Sequence, residues 1–315
     1  MRPHFKTLLA GVGRLPLRFL SFWFLSVPEM RTIKSLAIVS NASKDGALEL
    51  ASRLEALASQ YGVETLSIDA FPIPTDCLKG VDACCVIGGD GTFLSVANEA
   101  TRWQVPVIGV NCGTLGFLTT YTAEEVEGLF PAILRGEFTL QSRAVLECSA
   151  QRGYSDTALN DVVVKAADAT RIIHVNVFAD DELVTTYVCD GLIFSTPTGS
   201  TAYTLSAGGP LMHPGTEAIS LTPICPHTLS NRSIIFPANV RLRVENALPG
   251  QRLLIALDGQ RNLNTLENSS VEIFVSDERI QLAQKLNYSH FEVVRHKLKW
   301  NGGYAGDVGK REKRN

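Results

Sequence analysis

Ala83-Cys84-Cys85-Val86-Ile87-Gly88-Gly89-Asp90-Gly91-Thr92 is the stretch that decides how this chain folds. Five apolar residues predict a buried strand, and the glycines then let the backbone turn sharply and another molecule approach closely. A helix is expected from Thr92 to Ala100. Its first N–H groups have no partner within the helix and favour an anion. Gly88, Gly89, Gly91 and Thr92 thus read as a phosphate cradle with one carboxylate, Asp90, in its middle. A carboxylate there repels phosphate unless it meets a cation or takes a proton from an attacking hydroxyl, and phosphoryl transfer needs both services. A plain turn with Asp or Thr capping the next helix accounts for the same residues equally well.

Working outward, Leu36–Val39 predicts a strand, Gly46 to Gln60 a helix with Ala47, Leu50, Leu54 and Leu57 at helical spacing, and Val63–Ile68 another strand. Val105–Val110 is a further short strand, and it runs into a second glycine loop, Asn111-Cys112-Gly113-Thr114-Leu115-Gly116-Phe117-Leu118. Strands alternating with helices imply a parallel sheet covered on both faces, with ligands collecting at the carboxyl ends of its strands. Both glycine loops fall at that edge. Residues 31–138 are therefore expected to form a doubly wound α/β domain.

From residue 139 to 285 short β-rich runs dominate, among them Ala158–Val164, Gly191–Ser195, Leu253–Leu257 and Val271–Val275. They predict a second, β-rich domain. Residues 286–301 read as an ordered segment returning to the first domain, and 302–315 as a flexible tail. Residues 1–30 differ from the rest: four basic residues stand against Glu29 alone, and Phe19–Val27 is an aromatic, apolar stretch of nine residues. That is too short to span a bilayer. We expect a leader that is poorly ordered or precedes the true start at Met30, with no stable membrane span.

The whole chain has 315 residues and a net charge of −3. That balance argues against general nucleic-acid binding. Seven scattered cysteines without a Cys-x-x-Cys pair suit a reducing compartment, the cytoplasm. They predict no structural zinc site.

Further polar clusters sit where a purely structural β domain has no need of them. Asn160-Asp161 precedes Val162-Val163-Val164; Asp190-Gly191 opens a strand that ends in the hydroxyl-rich Ser195-Thr196-Pro197-Thr198-Gly199-Ser200-Thr201-Ala202-Tyr203, with Ser206 beyond. Pro223–Arg232 and Asp258-Gly259-Gln260 follow. Small residues let a flat ligand lie against the backbone, while hydroxyls and a Tyr ring can hold ribose, phosphate and base. A capped turn explains Pro197 and Gly199 but not the hydroxyls around them.

Together with Gly88–Thr92, this set closely resembles the NAD kinase family, over residues 33 to 300. The glycine motif is shared with diacylglycerol, sphingosine and 6-phosphofructo-kinases; Thr196–Tyr203 and Pro223–Arg232 are more specific. The resemblance implies two domains with NAD between them, ATP as phosphoryl donor and NADP as product. It makes Asp90 the catalytic carboxylate. It makes Asp90, Gly91, Phe117, Asn160, Asp161, Asp190, Thr198, Thr201, Ala202, Tyr203, Ser206 and Asp258 the NAD-binding set, Phe117 on the adenine side and Asp190 and Asp258 towards the far end. It further implies a homodimer or homotetramer in which a neighbouring subunit supplies some contacts. Mg²⁺ or another divalent metal would ride in on ATP, with no protein metal site of its own.

The rival readings are a lipid or sugar kinase sharing the glycine motif, and a catalytically silent dinucleotide sensor. The first has no use for Asn160-Asp161, and the intact Asp90 and Asp161 argue against the second. Neither a Gly-x-x-x-x-Gly-Lys-Ser/Thr loop nor a protein-kinase motif set is present. Asp161 could alternatively cap a strand start, His227 reads as a buried imidazole, and Arg232 is open between phosphate and an acid.

Overall fold

The computed structural model describes residues 32–150, 153–168, 172–228, 230–265 and 270–300, so the expectations for residues 1–30 and 302–315 lie outside it. Every residue of the decisive apolar run is buried. Ala83, Cys85 and Ile87 enter one core while Cys84 and Val86 enter another. Side chains that alternate into two cores require a covering layer on each face.

The chain supplies those layers in order: β1 (Ser35–Ser40), α1 (Ala47–Gln60), β2 (Glu64–Ile68), β3 (Ala83–Gly88), α2 (Asp90–Trp103), β4 (Val107–Asn111), the two-residue β5 (Tyr121–Thr122) and α3 (Ala123–Leu134). Strands β2, β1, β3 and β4 run parallel side by side. Leu50 and Leu54 of α1 and Val126 and Phe130 of α3 join the core of Ala83, and Phe93, Val96 and Ala97 of α2 join the other. This is the doubly wound α/β arrangement expected.

The rest is β-rich, also as expected: β6 (Thr139–Ala150), β7 (Tyr154–Ala158), β8 (Asp161–Ala166), β9 (Ile173–Ala179), β10 (Glu182–Cys189) and β11 (Gly191–Ser195) precede the short α4 (Tyr203–Ser206). Then come β12 (Ala218–Ile224), β13 (Ile234–Pro237), β14 (Leu242–Asn246), β15 (Leu253–Leu257), β16 (Arg261–Asn264), β17 (Ser270–Gln284) and α5 (His290–Leu298). A six-stranded sheet in the order β13-β12-β11-β8-β15-β16 shares a core with β9, β14 and the start of β17, built from residues such as Val164, Val175, Phe194, Leu242 and Ile273. Strand β17 is antiparallel to β14 through Val271 and Ile273, then parallel to β4 through Leu282 and Ala283. It pairs with β6 along the way, with one register shift between Val275 and Arg279. One eleven-stranded sheet therefore runs through both halves.

Four local expectations change. Helix α2 begins at Asp90 rather than Thr92, because Gly89 is the extended residue before the first turn and its carbonyl accepts from Phe93 N–H at 3.0 Å. The run Ala158–Val164 breaks between β7 and β8 at Leu159-Asn160, whose amides turn to the Asp258 carboxylate. Strand β12 is not among the expected runs, and it carries Pro223, which has no N–H for a ladder. Its ladder with β13 covers only Ala218–Leu221, so Pro223 sits beyond that partner and sacrifices no bond to it. The short β16 was likewise missed. The returning tail forms a helix, α5, with Ser289 as its N-cap accepting from Glu292 N–H.

Candidate active site

Strand β3 and helix α2 place Asp90 in the first helical turn, where its side chain leaves the helix and enters the second glycine loop. Phe117 N–H donates to Oδ2 at 2.8 Å; Leu118 N–H, Thr119 N–H and the Thr119 hydroxyl each donate to Oδ1 at 3.1 Å. A carboxylate offers about four acceptor sites, two on each oxygen. Oδ1 takes three of the four donors and Oδ2 one, so by this count Oδ2 keeps one acceptor site. Asn111 steadies the arrangement by donating to the Thr119 hydroxyl at 2.8 Å.

Gly116 makes this grip possible: a Cβ there would stand 2.0 Å from Asp90 Oδ1. Gly88 is equally constrained, since its Cβ would meet the Thr92 hydroxyl at 2.4 Å. That hydroxyl accepts from Asn41 Nδ2 at 3.1 Å. Gly91 is exposed and Gly89 half-buried, with open space around both. Sequence reasoning singled out Gly88, Gly89 and Gly91 but missed Asn41 and Gly116; the second glycine loop had been noticed without a role for that residue.

A second cluster forms where β8 starts. Asp258, in a left-handed conformation (φ +51°), accepts from Leu159 N–H at 2.9 Å, Asn160 N–H at 2.7 Å and Asp161 N–H at 3.2 Å. Its carboxylate is thus aimed at the backbone that carries Asn160 and Asp161. Burial pushes Asp258 up, against the pull of those amides and of Arg261. Asp161 is buried, and burial, reinforced by the charge of Asp258, pushes it up to about 7. A carboxyl poised there can donate to or accept from a ligand near neutral pH.

The hydroxyl-rich stretch interlocks with this cluster. Thr196 N–H and the Ser195 hydroxyl donate to Asn160 O at 2.9 and 3.2 Å, and the Thr196 hydroxyl donates to Leu159 O at 2.6 Å. Gly199 packs so closely that a Cβ would lie 2.0 Å from Asn160 O. Much of the hydroxyl density therefore holds backbone together. The Thr198 hydroxyl is buried with no partner, while the Thr201 hydroxyl donates to Thr198 O at 3.2 Å. Tyr203 and Ser206 are exposed, and Ala202 is half-buried beside them.

Gln260 ties the two clusters together, its Nε2 donating to Gly91 O at 2.6 Å. Phe117 lies near α5, where Lys297 Nζ stands 6.0 Å from its ring centre. Asp190 is not gathered in. It is exposed at the Gly191 end of β11, whereas Asp161 pairs across from Ser195 at the other end, about 13–17 Å away at the usual rise per residue. Among the described residues no group of three or more His, Cys, Asp or Glu side chains stands together to hold a metal, and no helix is long and apolar enough to cross a membrane.

Comparison with known proteins agrees with this geometry. Residues 73–138 match the family model described as the ATP-NAD kinase N-terminal domain, and residues 159–285 match the ATP-NAD kinase C-terminal domain. The chain is 42% identical over 248 residues to an NAD kinase of Syntrophotalea carbinolica, covering 78% of this chain and 86% of that protein. It is 35% identical over 288 residues to one of Solibacter usitatus, covering 86% of this chain and 99% of that one. Among solved structures, an Archaeoglobus fulgidus NAD kinase in complex with ATP superposes with a TM-score of 0.71 at 25% identity, covering 84% of this chain and 98% of that chain. Yeast NADH kinase complexed with NADH gives 0.77 at 22% identity over 87% and 89% of the two chains, a likeness of fold. With two domain models matched in order and relatives this similar over most of their length, the chain belongs to the NAD kinase family.

Proposed function

We propose that this enzyme transfers the γ-phosphate of ATP to the 2′-hydroxyl of the adenosine ribose of NAD, giving ADP and NADP. A bond forms between the ribose oxygen and the γ-phosphorus, the bond from that phosphorus to the β-bridging oxygen breaks, and the hydroxyl proton passes to Asp90. The observation that carries this reading is the Asp90 carboxylate pinned by four donors with one acceptor site open on Oδ2. Gln260 joins its helix to the turn that holds Asn160 and Asp161. Asn160 and Asp161 bind adenine and ribose, Thr198, Thr201, Ala202, Tyr203 and Ser206 flank the dinucleotide, and the α2 N-terminus with Gly88, Gly89, Gly91 and Thr92 meets phosphate. Mg²⁺ bound to ATP would offset the charge of its phosphates beside Asp90.

The distance of Asp190 from the other site residues favours a homo-oligomer in which a second copy presents Asp190 to the far end of NAD. Mixing Asp190→Ala with Asp90→Asn protein would then restore part of the activity that each lacks. Seven free thiols support a cytoplasmic setting. Purified protein given Mg-ATP and NAD, with NADP followed by an NADP-specific dehydrogenase, tests the central reaction. Asp90→Asn is expected to lower kcat about 10²–10⁴-fold while the fold survives. Undiminished turnover in that variant would remove Asp90 from its role.

A further inference from the structure

Arg143, on β6 opposite Ile280 of β17, is only 6% exposed, yet no carboxylate among the described residues pairs with it. Its Nη2 donates to Gln141 Oε1 at 2.7 Å, and its Nε has no partner. A guanidinium stays charged in a protein, and a buried charge without a counter-charge is costly. The Tyr288 hydroxyl is also buried and unpartnered. Arg143, Tyr288, His213 and His290 line one cavity of about 410 Å³ between β6, the loop after Met212 and the start of α5. The two imidazoles meet edge to face at 5.3 Å. Burial first, then His213 and Arg143, holds His290 down at about 4, so it is a neutral ring at pH 7.

Two links tie the cavity to the rest of the candidate site. Burial pushes the Tyr288 hydroxyl up, Arg143 pulls it back, and the Asp90 carboxylate is near enough to push it further. On the other side, Met212 N–H donates to the Ser200 hydroxyl at 3.0 Å, which fixes His213 to the hydroxyl-rich stretch. An anion entering here would meet a guanidinium N–H, a phenol and imidazoles, and no carboxylate lines the cavity among the described residues.

We propose that this cavity is an anion subsite that receives a phosphate group of a substrate's polyphosphate chain, with Arg143 and Tyr288 as its donors. The assignment rests on the kinase reading for its substrates, although the binding itself does not require turnover. The chain belongs either to the nucleoside triphosphate donor or to the pyrophosphate of the dinucleotide.

Calorimetric titration of the full chain with inorganic tripolyphosphate tests the proposal apart from catalysis. Wild-type protein is expected to bind. Arg143→Gln should weaken binding roughly tenfold to a hundredfold, and Tyr288→Phe roughly two- to tenfold, as losses of a charged and a neutral donor. Arg143→Lys keeps charge without the fork and should fall between wild type and Arg143→Gln. If Arg143→Gln does not fold, Tyr288→Phe and Arg143→Lys still decide. Displacement of tripolyphosphate by ATP alone assigns the subsite to the donor, and displacement by NAD alone assigns it to the dinucleotide. Absence of wild-type binding, equal binding by all variants, or displacement by neither nucleotide overturns the proposal. Arg143-dependent binding in a protein that makes no NADP would uphold the subsite while sinking the kinase reading.

Discussion

Gly116→Ala puts one methyl group where the active site has no room. The added Cβ would sit 2.0 Å from Asp90 Oδ1, 2.4 Å from the Thr119 hydroxyl and 2.7 Å from Asp90 Cγ. Ordinary contact begins at 3.4 Å, so loop and carboxylate must separate by about 1.4 Å. All four donors to Asp90 come from residues 117–119, so the movement strips or lengthens every one of them. A misplacement of about 1 Å costs on the order of 10²-fold in rate. Hydrogen bonds to a charged group contribute about 1.5–3 kcal/mol each. We therefore expect kcat for NADP formation to fall about 10²-fold or more, with a stability loss of at least about 1.5–3 kcal/mol, the contribution of one of the four bonds. Coupled-assay kinetics and thermal denaturation on the same preparation read both quantities. Gly128→Ala is the matched control: Gly128 is exposed on the outer face of α3, nothing stands within 4 Å of its added Cβ, and the helix should gain about 1 kcal/mol. Turnover of Gly116→Ala within about threefold of wild type would refute the reasoning, because the clash would then have been absorbed without moving Asp90.

Asp161 carries a pH signature. A folded carboxyl pushed up to about 7 from its ordinary 3.8 holds its proton longer than the unfolded chain does, so its contribution to stability is full below about pH 4 and lost as pH rises through 7. Asp161→Asn should flatten denaturant-measured stability between pH 4 and 7, removing a decline of up to about 4 kcal/mol; an unchanged profile would mean Asp161 titrates normally. Asp258→Ala leaves three backbone N–H groups without their acceptor and should cost about 3 kcal/mol, with KM for NAD raised more than KM for ATP. Gly199→Ala drives a methyl into Asn160 O and should also raise KM for NAD, by about tenfold, with little effect on binding of ATP; an equal rise in both constants would show that the two clusters do not separate the substrates.

The glycine motif was legible because its signals are local: a continuous apolar run in β3, glycines where the strand stops, and a helix at once after it. Strands Gly191–Ser195 and Leu253–Leu257 could be read to the residue, since each is a short apolar run bounded by polar turns. The direction of Asp258 could not be read. Its carboxylate meets amides about a hundred residues earlier in the chain, and no spacing rule connects them. The role of Gly116 could not be read either: it has no positive φ, and the constraint on it is the neighbouring carboxylate. Arg143 escaped notice for the opposite reason. On an alternating strand a basic residue reads as outward-facing, and only the packing of α5 and the loop after Met212 buries it.

Strand β17 gives the molecule a single spine. The parallel sheet needs its Leu282 and Ala283 along the flank of β4, and the sandwich needs its Val271 and Ile273 beside β14. Residues 32–138 alone would bare the edge of β4 at Val107 and Ile108, an invitation to aggregate. The spine also selects the motion that remains. Paired strands resist sliding, but β6 and β17 skip their register between Val275 and Arg279, and there the ribbon can flex. Asp90 rides on one side of that joint and Asp161 on the other. Bending of that one continuous ribbon would change the gap between the two carboxylates.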